Sequence, residues 1–159
     1  MAYPDVKVEI NGLKEVNAAL KAYGKDLGAS LGLIVNATAL EAVTDVRKAI
    51  QGPPKTGREY PRGKNGEKVH RASAPGEAPA TDSGTLVSSI YNEDRGKYAR
   101  AIGSRLFYAY VLEFGWLPNR EQTKRPSWIP AVERAIPKML KRVQIAIAKA
   151  KARAEKTTK

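Results

Sequence analysis

The sequence predicts one α+β domain, in which a small antiparallel sheet is flanked by a long N-terminal helix and a long C-terminal helix. Three observations predict this class: helical periodicity at both ends, short strand-like segments between them, and a polar loop at about residues 52–83. The chain has 159 residues, and a domain of about 150 residues buries roughly 70% of its unfolded surface. We therefore expect residues 1–159 to form a single core without a disulfide or metal.

The first elements are a short strand and a long helix. Residues 6–10 alternate apolar and polar side chains and end at an Asn-Gly pair, which predicts a strand followed by a turn. From Leu13, apolar residues recur every three or four positions. They predict one long helix, or two helices broken near Gly24 and Gly28, because each interior glycine costs about 1 kcal/mol relative to alanine. We expect this helix to end before the Gly-Pro-Pro sequence at 52–54.

The loop at about 52–83 differs in composition from the rest of the chain. It contains mostly Gly, Pro, Lys, Arg and Ser, and few hydrophobic side chains. An irregular segment of this length is uncommon in a compact domain and is usually functional or disordered. We expect it to be a protruding basic arm. The arm includes His70, the only histidine of the chain, which we expect to be solvated.

A short helix and a hairpin are predicted to follow the arm. Asp82 or Ser83 can cap a short helix that includes Leu86, Val87 and Ile90. Residues 98–103 have the pattern of a strand, and residues 91–94 can pair with them across an Arg-Gly turn.

Residues 107–115 are the most aromatic segment, and their apolar positions fit either a helix or a buried strand. Such a cluster is more often part of a core than a binding platform, so we expect it to be buried. Glu113 is the exception, because a carboxylate in an apolar run usually faces solvent or meets a cation. Arg105 and Arg125 are the candidate cations.

The last predicted element is a helix that begins after Arg125-Pro126, with Ser127 as its cap. Its apolar stripe consists of Trp128, Val132, Ile136, Met139, Leu140, Val143 and Ile147. Pro137 is expected to kink it. Beyond the stripe the sequence becomes rich in Ala and Lys, and we expect a basic helix end at about 148–159 to project from the body.

The net charge of +12 is concentrated in two segments. Residues 47–71 carry a net +6, residues 134–159 carry a net +8, and the remaining positions sum to −2. Such segments attract polyanions, either DNA or acidic protein surfaces. The candidate contact residues are Arg58, Tyr60, Arg62, Lys64, Lys68 and Arg71 in the arm, and Lys149, Lys151 and Arg153 in the last helix.

The residues needed for catalysis or for a cofactor are scarce. With no cysteine and one histidine, transition-metal binding is not expected. Ser83 and Ser88 do not lie in a nucleophile elbow. The sequence from Gly57 to Asn65 departs from a phosphate-binding loop, which needs four residues between its glycines and a Ser or Thr after the lysine. We therefore expect no enzyme activity, no metal and no cofactor. No secretory signal or membrane-spanning run is predicted.

Four segments together resemble a known family. They are residues 8–16 (VEINGLKEV), 73–86 (SAPGEAPATDSGTL), 108–115 (YAYVLEFG) and 125–131 (RPSWIPA). In this order and spacing they are similar to the tail-completion proteins of the neck, or head–tail joining region, of long-tailed lambdoid-type bacteriophages. The positions that match the motifs are Gly84, Leu86, Tyr108, Tyr110, Glu113, Phe114, Gly115, Arg125, Pro126 and Trp128.

The resemblance implies a structural virion protein without catalytic residues. Subunits of this kind form a homo-oligomeric ring, typically a hexamer, between the tail tube protein and the head-connector or stopper protein, around the path of the packaged DNA. The expected location is the virion, and the host cytoplasm during assembly. The alternative is a DNA-binding accessory protein that uses the basic arm and the C-terminal tail. We expect most of the basic charge to meet neighbouring proteins, because DNA would adhere to a basic channel.

Overall fold

The computed structural model describes residues 13–116 and 123–157. It confirms the predicted α+β class with a long helix at each end, and it contains two small sheets. The elements are α1 (Leu13–Gln51), β1 (Glu59–Arg62), β2 (Lys68–Arg71), α2 (Thr85–Ser88), β3 (Ile90–Gly96), β4 (Ala99–Ser104), α3 (Phe107–Phe114) and α4 (Trp128–Thr157). The strand predicted at residues 6–10 lies outside the described residues.

Helix α1 is continuous through its glycines, so the two-helix alternative is wrong. Two of the glycines make room for the turn between β3 and β4. A Cβ atom at Gly28 would lie 2.7 Å from the Tyr98 hydroxyl oxygen, and one at Gly32 would lie 3.0 Å from the Lys97 carbonyl oxygen. The absence of a side chain therefore lets the hairpin approach the helix closely, at some cost in helix propensity.

The core lies where α1, α4 and the β3–β4 sheet meet. It consists of Val43, Val46, Ile50, Ile90 and Ala131, with Leu86, Val87, Ile102 and Trp128 packed against it. The face that α4 buries is made of small residues, namely Ala131, Ala135, Ala146 and Ala150. Four members of the larger apolar stripe of α4 lie outside this buried face and are 38–53% exposed: Val132, Ile136, Leu140 and Ile147. Alanines allow two helix backbones to approach closely, which turns the neighbouring larger side chains outward.

Ion pairs join α1 and α4 along the length of the helix pair. Arg134 pairs with Asp45 at 3.6 Å, Arg142 pairs with Glu41, and Arg153 pairs with Asp26 at 3.0 Å. The order of these partners shows that the two helices run antiparallel. The hydrogen bond from Arg142 lowers the pKa of Glu41.

Helix α4 continues through Pro137 to Thr157. It packs against α1 further than expected, since Ala150 is buried and the ion pair of Arg153 lies beyond it. By length and composition, Asn17–Gln51 is the one described helical segment that could cross a membrane, a test that core helices of soluble proteins also pass. Part of this segment is covered by α4.

The predicted pairing of β3 with β4 is confirmed, but the predicted turn at Arg95-Gly96 is wrong: these two residues belong to β3, and the turn consists of Lys97 and Tyr98. The two strands are antiparallel, Tyr91 faces Gly103, and the register shifts between Asp94 and Gly96. The guanidinium of Arg100 donates to the side-chain oxygen of Asn36 at 2.6 Å, which fastens β4 to α1. The sheet therefore lies against the middle of the long helix.

The arm at residues 52–83 contains a second hairpin that the sequence pattern did not predict. Strands β1 and β2 pair antiparallel, with Glu59 opposite Arg71 and Arg62 opposite Lys68. A proline in β1 and the many charges hide the alternation typical of a strand. Two backbone hydrogen bonds extend the pairing toward the base of the arm: the Gly57 N–H donates to the Ala72 carbonyl (3.0 Å), and the Ala72 N–H donates to the Arg58 carbonyl (2.9 Å).

Candidate assembly surfaces

The beginning of α4 is capped by a side chain from α3. The carboxylate of Glu113 accepts hydrogen bonds from the backbone N–H groups of Ser127 (2.7 Å), Trp128 (3.0 Å) and Ile129 (2.8 Å). Glu113 is only 5% exposed. The expectation that it faces solvent or meets a cation is wrong: it satisfies the N–H groups that a helix start leaves free, where a negative charge is also favoured by the helix dipole.

Backbone contacts around Arg125 link two further segments to this cap. The Arg125 N–H donates to the Leu112 carbonyl at 2.6 Å, and its side-chain Nε donates to the Ser73 carbonyl at 3.0 Å. The Gly76 N–H donates to the Lys124 carbonyl at 3.0 Å. Residues 73–77, 112–113 and 124–129 therefore form one hydrogen-bonded unit, which we call the junction.

Glu77 attaches the arm to the junction. Its carboxylate accepts hydrogen bonds from the Thr56 hydroxyl (2.6 Å), the Ala74 N–H (2.8 Å) and the Thr56 N–H (3.1 Å). These donors lower the pKa of Glu77 to about 2. Both ends of the arm are thus bound by one carboxylate that stays ionised in acid.

The predicted caps of the short helix α2 are only partly right. The residue before the helix is Gly84, which has the left-handed φ of 78° and makes no side-chain cap. Ser83 lies next to it, and its Oγ accepts the Thr85 N–H at a long 3.4 Å while lying 2.7 Å from the Thr85 hydroxyl. Asp82 instead bonds to Arg62 of the arm.

The candidate polyanion-contact residues of the arm differ in whether they already have an acidic partner within the chain. Arg62 is paired with Asp82 and Arg71 with Glu59. The Arg58 guanidinium stacks over the Tyr60 ring, 5.4 Å from its centroid. Within the part of the chain that the structure describes, Arg58, Lys64 and Lys68 make no ion pair with a carboxylate, so they are the free cations of the arm.

The same division occurs on α4. Arg153 pairs with Asp26 of α1. Lys149 and Lys151 form no ion pair with any described residue. Among the described residues, the arginines of this helix thus pair with carboxylates of α1, whereas these two lysines carry positive charge without an acidic partner.

A group of exposed aromatic side chains covers the outer side of α3. We call this group, Phe107, Tyr108, Tyr110, Phe114 and Trp116, the aromatic patch. Its members are 42–77% exposed, so the expectation that this segment is core is wrong. The rings of Tyr110 and Phe114 contact each other in a tilted arrangement, with centroids 4.8 Å apart and an interplanar angle of 42°. Gly115 follows with a φ of 80° and ends the helix.

A mostly apolar groove of about 270 Å³ lies between α1, β4 and α4. We call it the apolar groove. Its walls include Val35 and Ala39 of α1, Ile102 of β4, and Val132 and Ile136 of α4. Three members of the predicted α4 stripe, Val132, Ile136 and Met139, thus line an open depression.

Among the described residues, none forms a hydrogen bond with the His70 side chain that would activate a nucleophile. His70 Nδ1 lies 3.9 Å from Asp82, and no hydrogen bond joins His70 to Ser83 in the described part of the chain. Among the described residues there is also no group of three or more His, Asp or Glu side chains that could hold a metal ion.

Comparisons with protein-family models, with curated proteins and with solved structures found no match. The family resemblance therefore rests on the four sequence segments. Those at 73–86, 108–115 and 125–131 all contribute to the junction. The segment at 8–16 begins outside the described residues.

Proposed function

We propose that this chain is a structural protein of the neck of a long-tailed phage, which completes the tail and joins it to the head as a subunit of a ring. Its partners are further copies of itself, the tail tube protein and the head-connector or stopper protein. It acts without a cofactor, in the virion after assembly in the host cytoplasm.

The junction is the observation that supports this proposal most strongly. Glu113, Arg125 and Ser73 come from three separate segments of the resemblance, and each makes a hydrogen bond to another of those segments. Because the three segments bind one another in the fold, it is understandable that their short motifs occur together in one chain. A set of chance matches would not be expected to assemble in one place.

The surfaces outside the junction suit a protein that works by assembly. Large exposed apolar patches usually mark contact sites, and aromatic residues are enriched in protein interfaces. A ring of six copies would carry a formal charge of six times +12. Acidic surfaces on neighbouring proteins would neutralise the free cations Arg58, Lys64 and Lys68.

The test is quantitative mass spectrometry of gradient-purified particles from the phage or induced prophage that encodes this chain. We expect the chain in a small fixed number of copies, close to those of other neck-ring proteins. If the chain is abundant in the lysate but missing from the particles, the neck assignment is wrong.

A second candidate is a DNA-binding accessory protein, which the free lysines Lys149 and Lys151 favour. If these two and Arg58, Lys64 and Lys68 all contacted phosphates, the logarithm of the affinity would fall with the logarithm of salt concentration with a slope of roughly −4 to −5. Fluorescence anisotropy with duplex DNA over a salt series measures this slope. Weak binding with a shallow slope would favour the structural role.

A further inference from the structure

We propose that residues 6–10 of one copy pair with the unpaired edge of β4 in a second copy, as a third strand of the β3–β4 sheet. The chain has a strand-like segment and an open strand edge, and the two cannot reach each other within one copy. The contact between copies does not depend on the neck assignment; only the closure of the copies into a ring rests on the proposed function.

One edge of β4 has no partner within the described chain. Residues 99–104 pair with β3 and make no other backbone hydrogen bond to a described residue. An edge strand presents a row of unpaired N–H and C=O groups, which proteins usually protect with lysine, proline or a covering segment. β4 contains neither lysine nor proline, and its one charged side chain, Arg100, bonds to Asn36 of α1. The edge is therefore open to a further strand.

The apolar groove lies beside this open edge. Arg100 and Ile102 of β4 line the groove, whereas no residue of β3 does, so the open edge of β4 is on the α4 side of the sheet. A further strand lies about 4.8 Å beyond its neighbour, which is above Val132 and Ile136 of α4. These two side chains are 38% and 43% exposed. The position thus calls for an extended strand with apolar side chains on one face.

Residues 6–10, which lie outside the described residues, have the sequence that this position requires. Val6, Val8 and Ile10 alternate with Lys7 and Glu9, so in a strand the three aliphatic side chains share one face and the two charged ones share the other. Placed beside β4, the aliphatic face meets the groove and the charged face meets solvent. The aliphatic side chains are small, as a groove of about 270 Å³ requires.

The segment of the same copy is too short to reach β4. The hydrogen bond from Arg100 places β4 beside Asn36, which is roughly 35 Å from Leu13, the first residue of α1, at 1.5 Å per residue. The chain from Val6 to Leu13 spans roughly 25 Å when it is fully extended. The residues after Val6 are nearer to Leu13 and fall further short. Pairing of this segment with β4 therefore requires another copy.

Charge also favours a second copy as the partner. The side chains of residues 1–12 carry a net charge of −1, from Asp5, Lys7 and Glu9, so the rest of the chain carries +13 within the total of +12. The segment is thus attracted to the body of a neighbour, whereas two bodies repel each other. Each copy offers one segment and one edge, and contacts between unlike surfaces produce closed rings or open filaments.

Cysteine cross-linking tests the exchange, because the natural chain has no cysteine. Arg100 and Ile102 face α1, so Ala101 faces outward, on the side to which Glu9 points in the proposed strand. Side chains on neighbouring strands have Cβ atoms about 4.5–5.5 Å apart when directly opposite and about 7–8 Å apart when diagonal. A short bifunctional thiol reagent spans both distances.

A mixture of the single variants Glu9→Cys and Ala101→Cys should give dimers that contain both variants. The double variant should give a ladder of covalent oligomers. Ala99→Cys, which lies on the same outward face of β4, replaces Ala101→Cys if the latter does not fold by circular dichroism.

Ala148→Cys is the matched control for Ala101→Cys. Ala148 is an exposed alanine of α4 that does not line the groove. Mixed dimers of Glu9→Cys with Ala101→Cys that are no more abundant than those with Ala148→Cys, both at the highest soluble concentration and in purified particles, would overturn the inference. Cross-linking within single copies of the double variant, with no mixed dimers, would also overturn it, because the segment would then reach its own β4.

A second pair of variants tests whether the groove recognises the aliphatic face. Val8→Ser removes a side chain that points toward α4, whereas Lys7→Ser changes its neighbour on the solvent side. In the Glu9→Cys background we expect Val8→Ser to lower the yield of mixed dimers roughly fivefold or more. Lys7→Ser should leave the yield within about twofold. Equal yields from the two variants would overturn the pairing of this face with the groove.

The same samples separate this inference from the neck assignment. Particles that contain the chain, with no mixed dimers above the control there or in the purified protein, would overturn the exchange and leave the neck role standing. Mixed dimers formed by a chain that is missing from particles would support the exchange and contradict the neck role.

Discussion

On one side of α3 the carboxylate of Glu113 is 5% exposed, whereas on the other side the rings of Phe107 and Tyr110 are 77% and 63% exposed. The buried side satisfies three backbone N–H groups at the start of α4. The rings on the exposed side provide no comparable hydrogen bond to the described part of the chain. The buried side of this helix thus carries Ala109 and the carboxylate that the start of α4 requires, whereas the aromatic side chains are exposed.

Helix α4 shows the same division. Its buried residues are alanines such as Ala131 and Ala135, whereas Ile136 and Leu140 are about half exposed. Small side chains allow α1 and α4 to pack closely, and the carboxylate of Glu113 caps the beginning of α4. We call the four buried alanines of α4 the alanine seam: Ala131, Ala135, Ala146 and Ala150. The two regions together predict that changes at the junction and in the alanine seam harm folding, while changes in the aromatic patch harm only assembly.

The largest expected effect is that of Glu113→Ala. Each buried backbone N–H without an acceptor costs about 1–3 kcal/mol, and this substitution removes the acceptor of three. We expect the free energy of unfolding, measured by urea titration, to fall by about 3 kcal/mol or more. Glu113→Gln should cost less, because its side-chain oxygen can still accept.

Glu133→Ala is the matched control for this effect. Glu133 is an exposed carboxylate of α4, and surface substitutions usually change stability by less than about 0.5 kcal/mol. Equal effects of the two alanine substitutions would show that Glu113 does not cap the helix.

The next largest effect is expected from Ala131→Leu. Ala131 is completely buried in the core cluster, and extra methyl groups in a packed core typically cost 1–3 kcal/mol, so we expect about 2 kcal/mol in the same titration. Ala148 is exposed on the same helix, and Ala148→Leu should leave stability nearly unchanged. A tolerated Ala131→Leu would mean that the helices are less closely packed than the alanine seam implies.

The sequence predicted the parts of the fold that depend on local pattern. The helical state of α1 and the pairing of residues 91–94 with residues 98–103 follow from periodicity and turn residues, although periodicity left open a break near Gly24 and Gly28. The arm hairpin was missed because its strands consist of charged residues and proline, which lack the alternation of a half-buried strand.

The candidate site was harder to predict, because its residues depend on partners distant in sequence. Glu113 could not be identified as the cap of α4 while the path of the chain between α3 and α4 was unknown. Hydrophobicity places Tyr110 and Phe114 in a core, since periodicity describes an apolar face without stating what covers it. Charge blocks likewise did not show that Arg62 and Arg142 have acidic partners while Lys64 and Lys149 have none among the described residues.

Because of Glu77, the attachment of the arm should depend on pH in the acidic range. Its pKa of about 2 in the folded chain is below the ordinary 4.5, so folding favours the ionised form. Its contribution is complete above pH 4.5 and is lost as the pH falls toward 2. We expect Glu77→Gln to flatten the pH dependence of stability in this range, measured by thermal melting at a series of pH values.

Glu67 provides the comparison for that experiment. It also has a lowered pKa, caused by backbone hydrogen bonds in the arm itself, but it does not join the arm to the junction. Hydrogen exchange at Thr56 and Ala74 should therefore increase in Glu77→Gln and stay unchanged in Glu67→Gln. Equal protection of these amides in both variants would contradict the role of Glu77.

The smallest effect on stability is expected from Phe107→Ser, although it removes the most exposed ring of the aromatic patch. A ring that is 77% exposed contributes little to folding, so the free energy of unfolding should change by less than about 0.5 kcal/mol. The same variant should assemble poorly into particles, because an assembly contact through the aromatic patch loses one of its aromatic side chains. A loss of stability above about 1 kcal/mol would show that Phe107 belongs to the core after all. Unchanged stability with normal assembly would instead mean that assembly does not use this end of α3.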